Sequence, residues 1–97
     1  MEFLVRVETR LPNELTEYQR ADLLANEAAR GRELVAAGTL RHIWRLPGRL
    51  ANVAIWSAGS VEELHDALVS LPVWPYAEIE VTALAAHPLT QAADKVV

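Results

Sequence analysis

One carboxylate in the sequence, that of Glu27, falls where the surrounding residues predict the apolar face of a helix. Glu27 follows Leu24 by three residues and precedes Leu34 by seven, so it lies on or beside the stripe that should face a sheet. A carboxyl group in partly apolar surroundings has a raised pKa and can serve as a general base. A side chain that reaches the rim, or that pairs with Arg30 or Arg41, is the structural alternative.

The next candidate residues stand together in the run Arg41-His42-Ile43-Trp44-Arg45. Strand alternation places Arg41 and Arg45 on one side of this run and His42 with Trp44 on the other. A guanidinium group offers paired donors to a planar anion, so the arginines predict a site that holds a carboxylate or steadies an oxyanion. Ion pairs with acidic residues of the last strand explain the arginines equally well, and His42 is either catalytic or simply hydrogen-bonded and half-buried.

Four further residues have types that suit a binding pocket. Asn52 lies mid-strand, where asparagine is disfavoured, which indicates a polar contact to a ligand or to a facing subunit. His65, beside the apolar Leu64, is either an acid–base group or a residue that borders the core. Trp74 and Tyr76 belong to a rigid, proline-rich segment that forms either a pocket wall or plain packing between a helix and a strand.

Two helices and four strands must position these side chains. A period of two predicts strands over residues 3–9, 40–46, 50–56 and 77–84, the middle pair joined as a hairpin by Pro47-Gly48-Arg49. Helical patterns run from about Glu14 to Ala37, ending at Gly38, and from the N-cap Ser60, with Glu63 completing a capping box, to Pro72. The predicted buried stripes are Ala21, Leu24, Ala28, Gly31, Leu34 and Val35 in the first helix, and Val61, Leu64, Leu68 and Leu71 in the second.

The order strand, helix, strand, strand, helix, strand predicts an α+β fold of the ferredoxin-like βαββαβ type, with a four-stranded antiparallel sheet and both helices on one face. The opposite face would then expose Leu4, Leu50, Ala54 and Trp56, which are too apolar for water. We therefore expect this face to pack on a second subunit, as in a dimeric α+β barrel. Residues 1–88 would form this single domain, and residues 89–97 a C-terminal tail.

Composition narrows the classes of function. The 97 residues carry a net charge of −4 and a single lysine, Lys95, which argues against binding nucleic acid or an anionic membrane. The absence of cysteine excludes disulfides and thiolate chemistry and favours a cytoplasmic protein. From the sequence we expect neither a signal peptide nor a membrane-spanning segment. The three histidines lack metal-ligand spacing and no phosphate-binding loop occurs, so we expect neither a metal nor another cofactor.

Several segments together resemble the muconolactone isomerase family. They are Arg41-His42-Ile43-Trp44-Arg45, Gly48, Ala51-Asn52, Glu63-Leu64-His65-Asp66-Ala67-Leu68, Leu71-Pro72-Val73-Trp74-Pro75-Tyr76, Ile79-Glu80-Val81 and His87-Pro88. The resemblance runs from Met1 to about Pro88.

The resemblance implies a cofactor-independent isomerase of catechol breakdown that converts muconolactone to 3-oxoadipate enol-lactone by an allylic 1,3-proton shift. It also implies a homo-oligomer of dimers, commonly a decamer. On this basis Glu27 would be the base, His42 and Asn52 oxyanion donors, and Arg41 or Arg45 the clamp for the substrate carboxylate. Trp44, Trp74 and Tyr76 would line the pocket, with His65 as a further substrate-binding position.

The resemblance is incomplete at the first helix. The family often has lysines on both sides of the glutamate, where this sequence has Leu24 and Ala28. A sister activity is therefore an alternative, such as dehalogenation of a chlorinated muconolactone or a proton shift or cyclisation on another small carbonyl compound. A barrel that only binds a small molecule is the remaining, non-enzymatic alternative.

Overall fold

The described part of the chain forms four strands and two helices in the predicted order. The structure, a computed structural model, describes residues 1–89, so the predicted tail lies outside the described residues except for Leu89. A turn of 3-10 helix, Trp74–Tyr76, precedes the last strand. The elements are β1 (Glu2–Thr9), α1 (Glu17–Ala36), β2 (Leu40–Arg45), β3 (Ala51–Ser57), α2 (Val61–Val69) and β4 (Ala77–Leu84).

The four strands form one antiparallel sheet in the order β2-β3-β1-β4. The tight turn between β2 and β3 contains Gly48 at φ 82°, a left-handed conformation that glycine adopts without steric cost. Buried leucines from both helices pack in one cluster with side chains from a single face of the sheet. This arrangement confirms the predicted ferredoxin-like topology.

The core lies between the sheet and the helices. Alternate residues of β1, namely Phe3, Val5 and Val7, are at most 4% exposed. Their partners across β3 include Trp56 opposite Phe3 and Ala54 opposite Val5, and both are equally buried. The prediction that Ala54 and Trp56 lie on the opposite face is therefore wrong, because the pairing with β1 gives β3 the reverse assignment of inward and outward residues.

The sheet face away from the helices is called here the open face. It carries an apolar group and several charged residues. The charged residues of β1 lie directly opposite those of β4, as Arg6 lies opposite Glu80. Leu50, predicted to lie on this face, instead precedes β3 and borders a cavity on the helix side. The open face includes Leu4, Arg6, Glu8, His42, Trp44, Val53, Ile55, Glu78, Glu80, Thr82 and Leu84.

The register between β2 and β3 shifts at Arg41. Leu40 pairs with Trp56 and His42 with Ile55, so β2 has one more residue than β3 between these pairs, as in a β-bulge. Leu40 is buried on the helix side. Beyond the shift, His42 and Trp44 lie on the open face, and Ile43 and Arg45 on the helix side.

Helix α1 differs from its prediction in start and in orientation. It begins at Glu17, because the Thr16 hydroxyl accepts the Gln19 N–H at 3.0 Å and the Gln19 side chain accepts the Thr16 N–H, which completes a capping box. Leu34 is buried as predicted, with Leu23 packed against the core. The other residues of the predicted stripe come one position after those that face the core, as Leu24 follows Leu23 and Val35 follows Leu34. Accordingly Ala21, Leu24, Ala28 and Val35 are exposed.

Helix α2 largely follows its prediction. The Ser60 hydroxyl accepts the Glu63 N–H at 3.1 Å, whereas the Glu63 carboxylate accepts the Gly59 N–H at 2.8 Å instead of closing the box on Ser60. Leu64, Leu68 and Leu71 are buried. Val61 is 57% exposed, contrary to the prediction, because the first turn of the helix extends beyond the core.

Candidate active site

A cavity of about 360 Å³ opens between α1 and the sheet, at the end of β1 where the helix and the strands diverge. Its floor comes from β1, β2 and β3, one wall from α1 and another from the segment before β4. Most of the lining is apolar, with a few polar groups among it, which is the usual composition of a small-molecule site. The lining residues are Val7, Thr9, Leu24, Glu27, Ile43, Arg45, Leu50, Ala51, Asn52 and Val73.

Glu27 reaches this cavity from α1. It lies on the same side of the helix as Leu23 and Leu34, four residues after one and seven before the other, so the helix directs its carboxylate toward the sheet. The side chain is half-buried, and its Oε1 accepts a hydrogen bond of 3.1 Å from the Val73 N–H. Burial raises the pKa of Glu27 above its ordinary value, and the Val73 hydrogen bond opposes that rise only in part.

Arg45 and Asn52 face Glu27 from the floor of the cavity. They are direct partners in the β2–β3 pairing, and Asn52 is also the partner of Val7 in the β1–β3 pairing. Among residues 1–89, no hydrogen bond or ion pair engages either side chain. A guanidinium and a carboxamide therefore remain available to a ligand beneath a half-buried carboxylate.

Two of the predicted site residues, His42 and Trp44, lie on the open face, across the sheet from the cavity. Their rings stack with centroids 5.9 Å apart, and Trp44 is 54% exposed. Arg41 occupies the register shift in β2 and does not line the cavity. Within one chain, the structure thus does not bring these three residues together with Glu27.

The remaining predicted residues lie around the cavity or away from it. His65 is exposed on α2, one residue after the buried Leu64. Trp74 is 42% exposed and Tyr76 is half-buried, and neither lines the cavity, although both follow Val73, which does. The Tyr76 N–H donates a hydrogen bond of 2.8 Å to the Val73 carbonyl oxygen, and the Val73 N–H donates one to Glu27.

A carboxylate with a raised pKa, placed above a cation and a neutral donor, is suited to moving a proton on a small anionic molecule. In such an arrangement a carboxylate can abstract and return a proton, a neutral donor can stabilise the charge that develops, and a cation can bind the anion. Residues 1–90 match the family model described as muconolactone delta-isomerase. The chain belongs to this family.

The muconolactone delta-isomerase family includes relatives that match nearly the whole chain. The enzyme of that name from Pseudomonas aeruginosa is 38% identical over 97% of this chain and 98% of its own length. The one from Acinetobacter baylyi is 42% identical over 91% of this chain and 92% of its own. A crystal structure of muconolactone isomerase superimposes with a TM-score of 0.85 at 40% identity, covering 91% of this chain and 92% of that one.

The fold extends beyond the muconolactone delta-isomerase family. A 5-chloro-2-hydroxyhydroquinone dehydrochlorinase from Burkholderia phenoliruptrix has a TM-score of 0.68 and covers 90% of this chain and 96% of its own. At 20% identity this likeness concerns the fold alone. In the part of the chain that the structure describes, no helix has the length and apolar character needed to cross a membrane.

The cavity of this family member includes residues that no sequence pattern marked as site residues. Thr9 follows Val5 and Val7 on the inward side of β1, and strand parity would have identified it once the helix-facing side was known. Leu50 was assigned to the wrong face. The backbone N–H of Val73 has no signature in sequence, because any residue except proline supplies one.

Proposed function

We propose that the chain catalyses the isomerisation of muconolactone to 3-oxoadipate enol-lactone. The observation that carries this proposal is the half-buried carboxylate of Glu27, which lies in a cavity above Arg45 and Asn52 and has a raised pKa. Membership of the muconolactone delta-isomerase family supports it. The substrate is a small lactone that carries a carboxymethyl group, and its size suits a cavity of about 360 Å³.

Glu27 acts as the general base in this proposal. Its carboxylate removes the ring proton at the carbon that bears the carboxymethyl group, and the electron pair moves through the ring double bond onto the lactone carbonyl. The resulting dienolate takes the proton back from the Glu27 carboxyl group at the carbon next to that carbonyl. No atom is gained or lost, and the double bond has moved by one position.

In this scheme Arg45 and Asn52 bind the two groups of the substrate that carry negative charge during the reaction. The Arg45 guanidinium holds the substrate carboxylate, because its paired donors match a planar anion and no described residue engages it. The Asn52 amide donates a hydrogen bond to the lactone carbonyl oxygen, where negative charge accumulates in the dienolate. Ile43, Leu24 and Leu50 exclude water from the ring.

We further propose a homo-oligomer in which two sheets pack through their open faces. Leu4, Val53 and Ile55 form an apolar group there, and Trp44 stacks on His42 beside it. His42 and Trp44 accordingly enter the proposal as interface residues, and Arg41, His65, Trp74 and Tyr76 as residues outside the cavity of their own chain. The decamer, the cytoplasmic location and the cofactor-free mechanism stay predictions from the sequence.

The test is proton NMR of the purified protein with muconolactone in deuterated buffer. We expect conversion to the enol-lactone, and Glu27→Gln should slow it by about 10² to 10⁴-fold, the usual contribution of a general base. Glu33→Gln is the matched control, since Glu33 is an exposed acid of the same helix that pairs with Arg30. Absence of conversion by the folded wild-type protein would overturn the proposal.

A further inference from the structure

Thr9, a strand residue with no motif around it, places a hydroxyl in the cavity. The residue ends β1, and its N–H donates a hydrogen bond of 2.9 Å to the Leu50 carbonyl oxygen, which fixes the backbone at the start of β3. Alternation along β1 puts Thr9 on the same side as Val5 and Val7, facing the helices. Its side chain therefore lines the cavity floor beside Leu50.

The Thr9 hydroxyl has no partner among the described residues. None of the side-chain hydrogen bonds of residues 1–89 involves Thr9, although Thr9 is half-buried. A half-buried hydroxyl that lines a cavity and makes no bond within the protein has its donor and both lone pairs available to a ligand.

The strand pairing relates Thr9 to Asn52. Val7 is opposite Asn52, and Thr9 is two residues further along β1, so Thr9 and Asn52 are diagonal neighbours on one face. Diagonal neighbours in an antiparallel pair are about 7 to 8 Å apart. Side chains that lean toward one another across this gap can both donate to one oxygen atom through hydrogen bonds of about 2.9 Å.

Thr9 is also remote from Arg45 across the floor of the cavity. Arg45 is the direct partner of Asn52 on β2, two strands from β1, and Thr9 is a further two residues along. Strand spacings of about 4.8 Å and rises of about 3.4 Å per residue put the two backbones roughly 12 Å apart. Muconolactone carries its carboxylate and its lactone carbonyl at opposite ends, which matches a cation at one corner and a hydroxyl at the other.

We infer that the Thr9 hydroxyl donates a hydrogen bond to the lactone carbonyl oxygen and, with the Asn52 amide, stabilises the dienolate; this inference rests on the proposed function. Two neutral donors then hold the oxygen on which charge develops, and Arg45 holds the carboxylate at the far end. Thr9 also supplies the second oxyanion donor that His42, on the open face, does not provide within its own chain. The bond strengthens as charge reaches the oxygen, so it contributes to turnover more than to substrate binding.

The test compares Thr9→Val, which keeps the shape and removes the hydroxyl, with Thr9→Ser, which keeps the hydroxyl. Thr9→Val should lower kcat about 10- to 100-fold with KM nearly unchanged, the scale of a hydrogen bond to a charged group, and Thr9→Ser should restore most of the activity. Thr39→Val is the matched control, because Thr39 is also half-buried and does not line the cavity. It should leave kcat within about twofold.

Each outcome separates this inference from the proposed function. Wild-type turnover with an unchanged kcat in Thr9→Val would overturn the role of Thr9 and leave the isomerase proposal intact. Absence of turnover by the folded wild-type protein would overturn both the isomerase proposal and the role of Thr9. Should Thr9→Val fail to fold, as judged by circular dichroism, the pair Thr9→Ser and Thr9→Ala gives the same comparison, and equal kcat values in that pair would overturn the inference.

Discussion

The Val73 backbone N–H donates a hydrogen bond of 3.1 Å to Oε1 of Glu27, joining α1 to the segment between α2 and β4. The contact links residues 46 positions apart. It orients the carboxylate from outside its own helix, and among residues 1–89 no hydrogen bond engages the other oxygen, Oε2. One oxygen is thus held in place while the other makes no such bond in a residue that lines the cavity, an arrangement suited to a base that must approach a substrate in one direction.

The first prediction concerns the pH dependence of activity. Because burial raises the pKa of Glu27 above its ordinary value, kcat/KM should fall as the pH drops through that raised pKa, when the base becomes protonated. The measurement is kcat/KM for muconolactone against pH, with the oligomer mass checked at each point. The residual activity of Glu27→Gln should lack this acid limb. An identical acid limb in that variant would assign it to another group.

The second prediction concerns stability. A carboxyl whose pKa is raised on folding binds its proton more tightly in the folded state, so the free energy of unfolding falls as the pH rises from the ordinary glutamate pKa through the raised value. Glu27→Gln removes the charge and keeps an oxygen that accepts the Val73 N–H. The variant should therefore melt at a higher temperature than wild type at neutral pH. The difference should disappear in acid, and a constant difference at all pH values would contradict this cause.

The third prediction distinguishes the two arginines. Arg45 lines the cavity and Arg41 does not, so Arg45→Met should raise KM for muconolactone about 10- to 100-fold, the scale of losing a charge-assisted hydrogen bond. Arg41→Met should change KM by less than about threefold, as expected for a side chain outside the site. Steady-state kinetics at constant ionic strength provide the measurement. The reverse pattern would move the carboxylate clamp to Arg41.

The fourth prediction concerns the core. Phe3 is 1% exposed and lies opposite Trp56 in the centre of the sheet. Phe3→Ala should lower the free energy of unfolding by about 3 to 5 kcal/mol, through lost burial and the cavity left behind. Urea denaturation at one protein concentration measures it. Tyr18→Ala is the control, because Tyr18 is 80% exposed, and it should stay within about 0.5 kcal/mol of wild type.

The fifth prediction concerns assembly. A charge placed in the apolar group of the open face should separate subunits that pair there, so Ile55→Arg should shift the mass measured by light scattering toward the monomer. Val35→Arg is the matched control, because Val35 is a 53% exposed apolar residue of α1, away from the open face. Dissociation by the Val35 variant alone would place the interface on α1 instead.

Much of the fold was predictable from sequence because periodicity and capping residues act locally. The order of elements, the hairpin at Gly48 and the position of Glu27 toward the sheet all follow from such signals. The face of β3 was not predictable in this way. In that strand both alternating sets contain apolar residues, so only the pairing with β1 decides that Ala54 and Trp56 point inward.

The orientation of α1 and the composition of the cavity required tertiary information for the same reason. Ala21, Leu24, Ala28 and Val35 give a convincing apolar stripe, yet the helix turns Leu23 and Leu34 toward the core. More than one face of this alanine-rich helix is apolar, so the sequence pattern does not decide which face is buried. Packing against the sheet decides it.

The register shift at Arg41 determines which side chains of β2 reach the cavity. Leu40 points inward, so regular alternation would continue inward with His42 and Trp44, whereas the extra residue substitutes Ile43 and Arg45. If β2 kept Arg41 but paired without the bulge, His42 and Trp44 would line the cavity and Arg45 would lie on the open face. The lining of the cavity therefore depends on where one strand is irregular as well as on which residues it contains, and a change that removes the irregularity alters several lining residues at once.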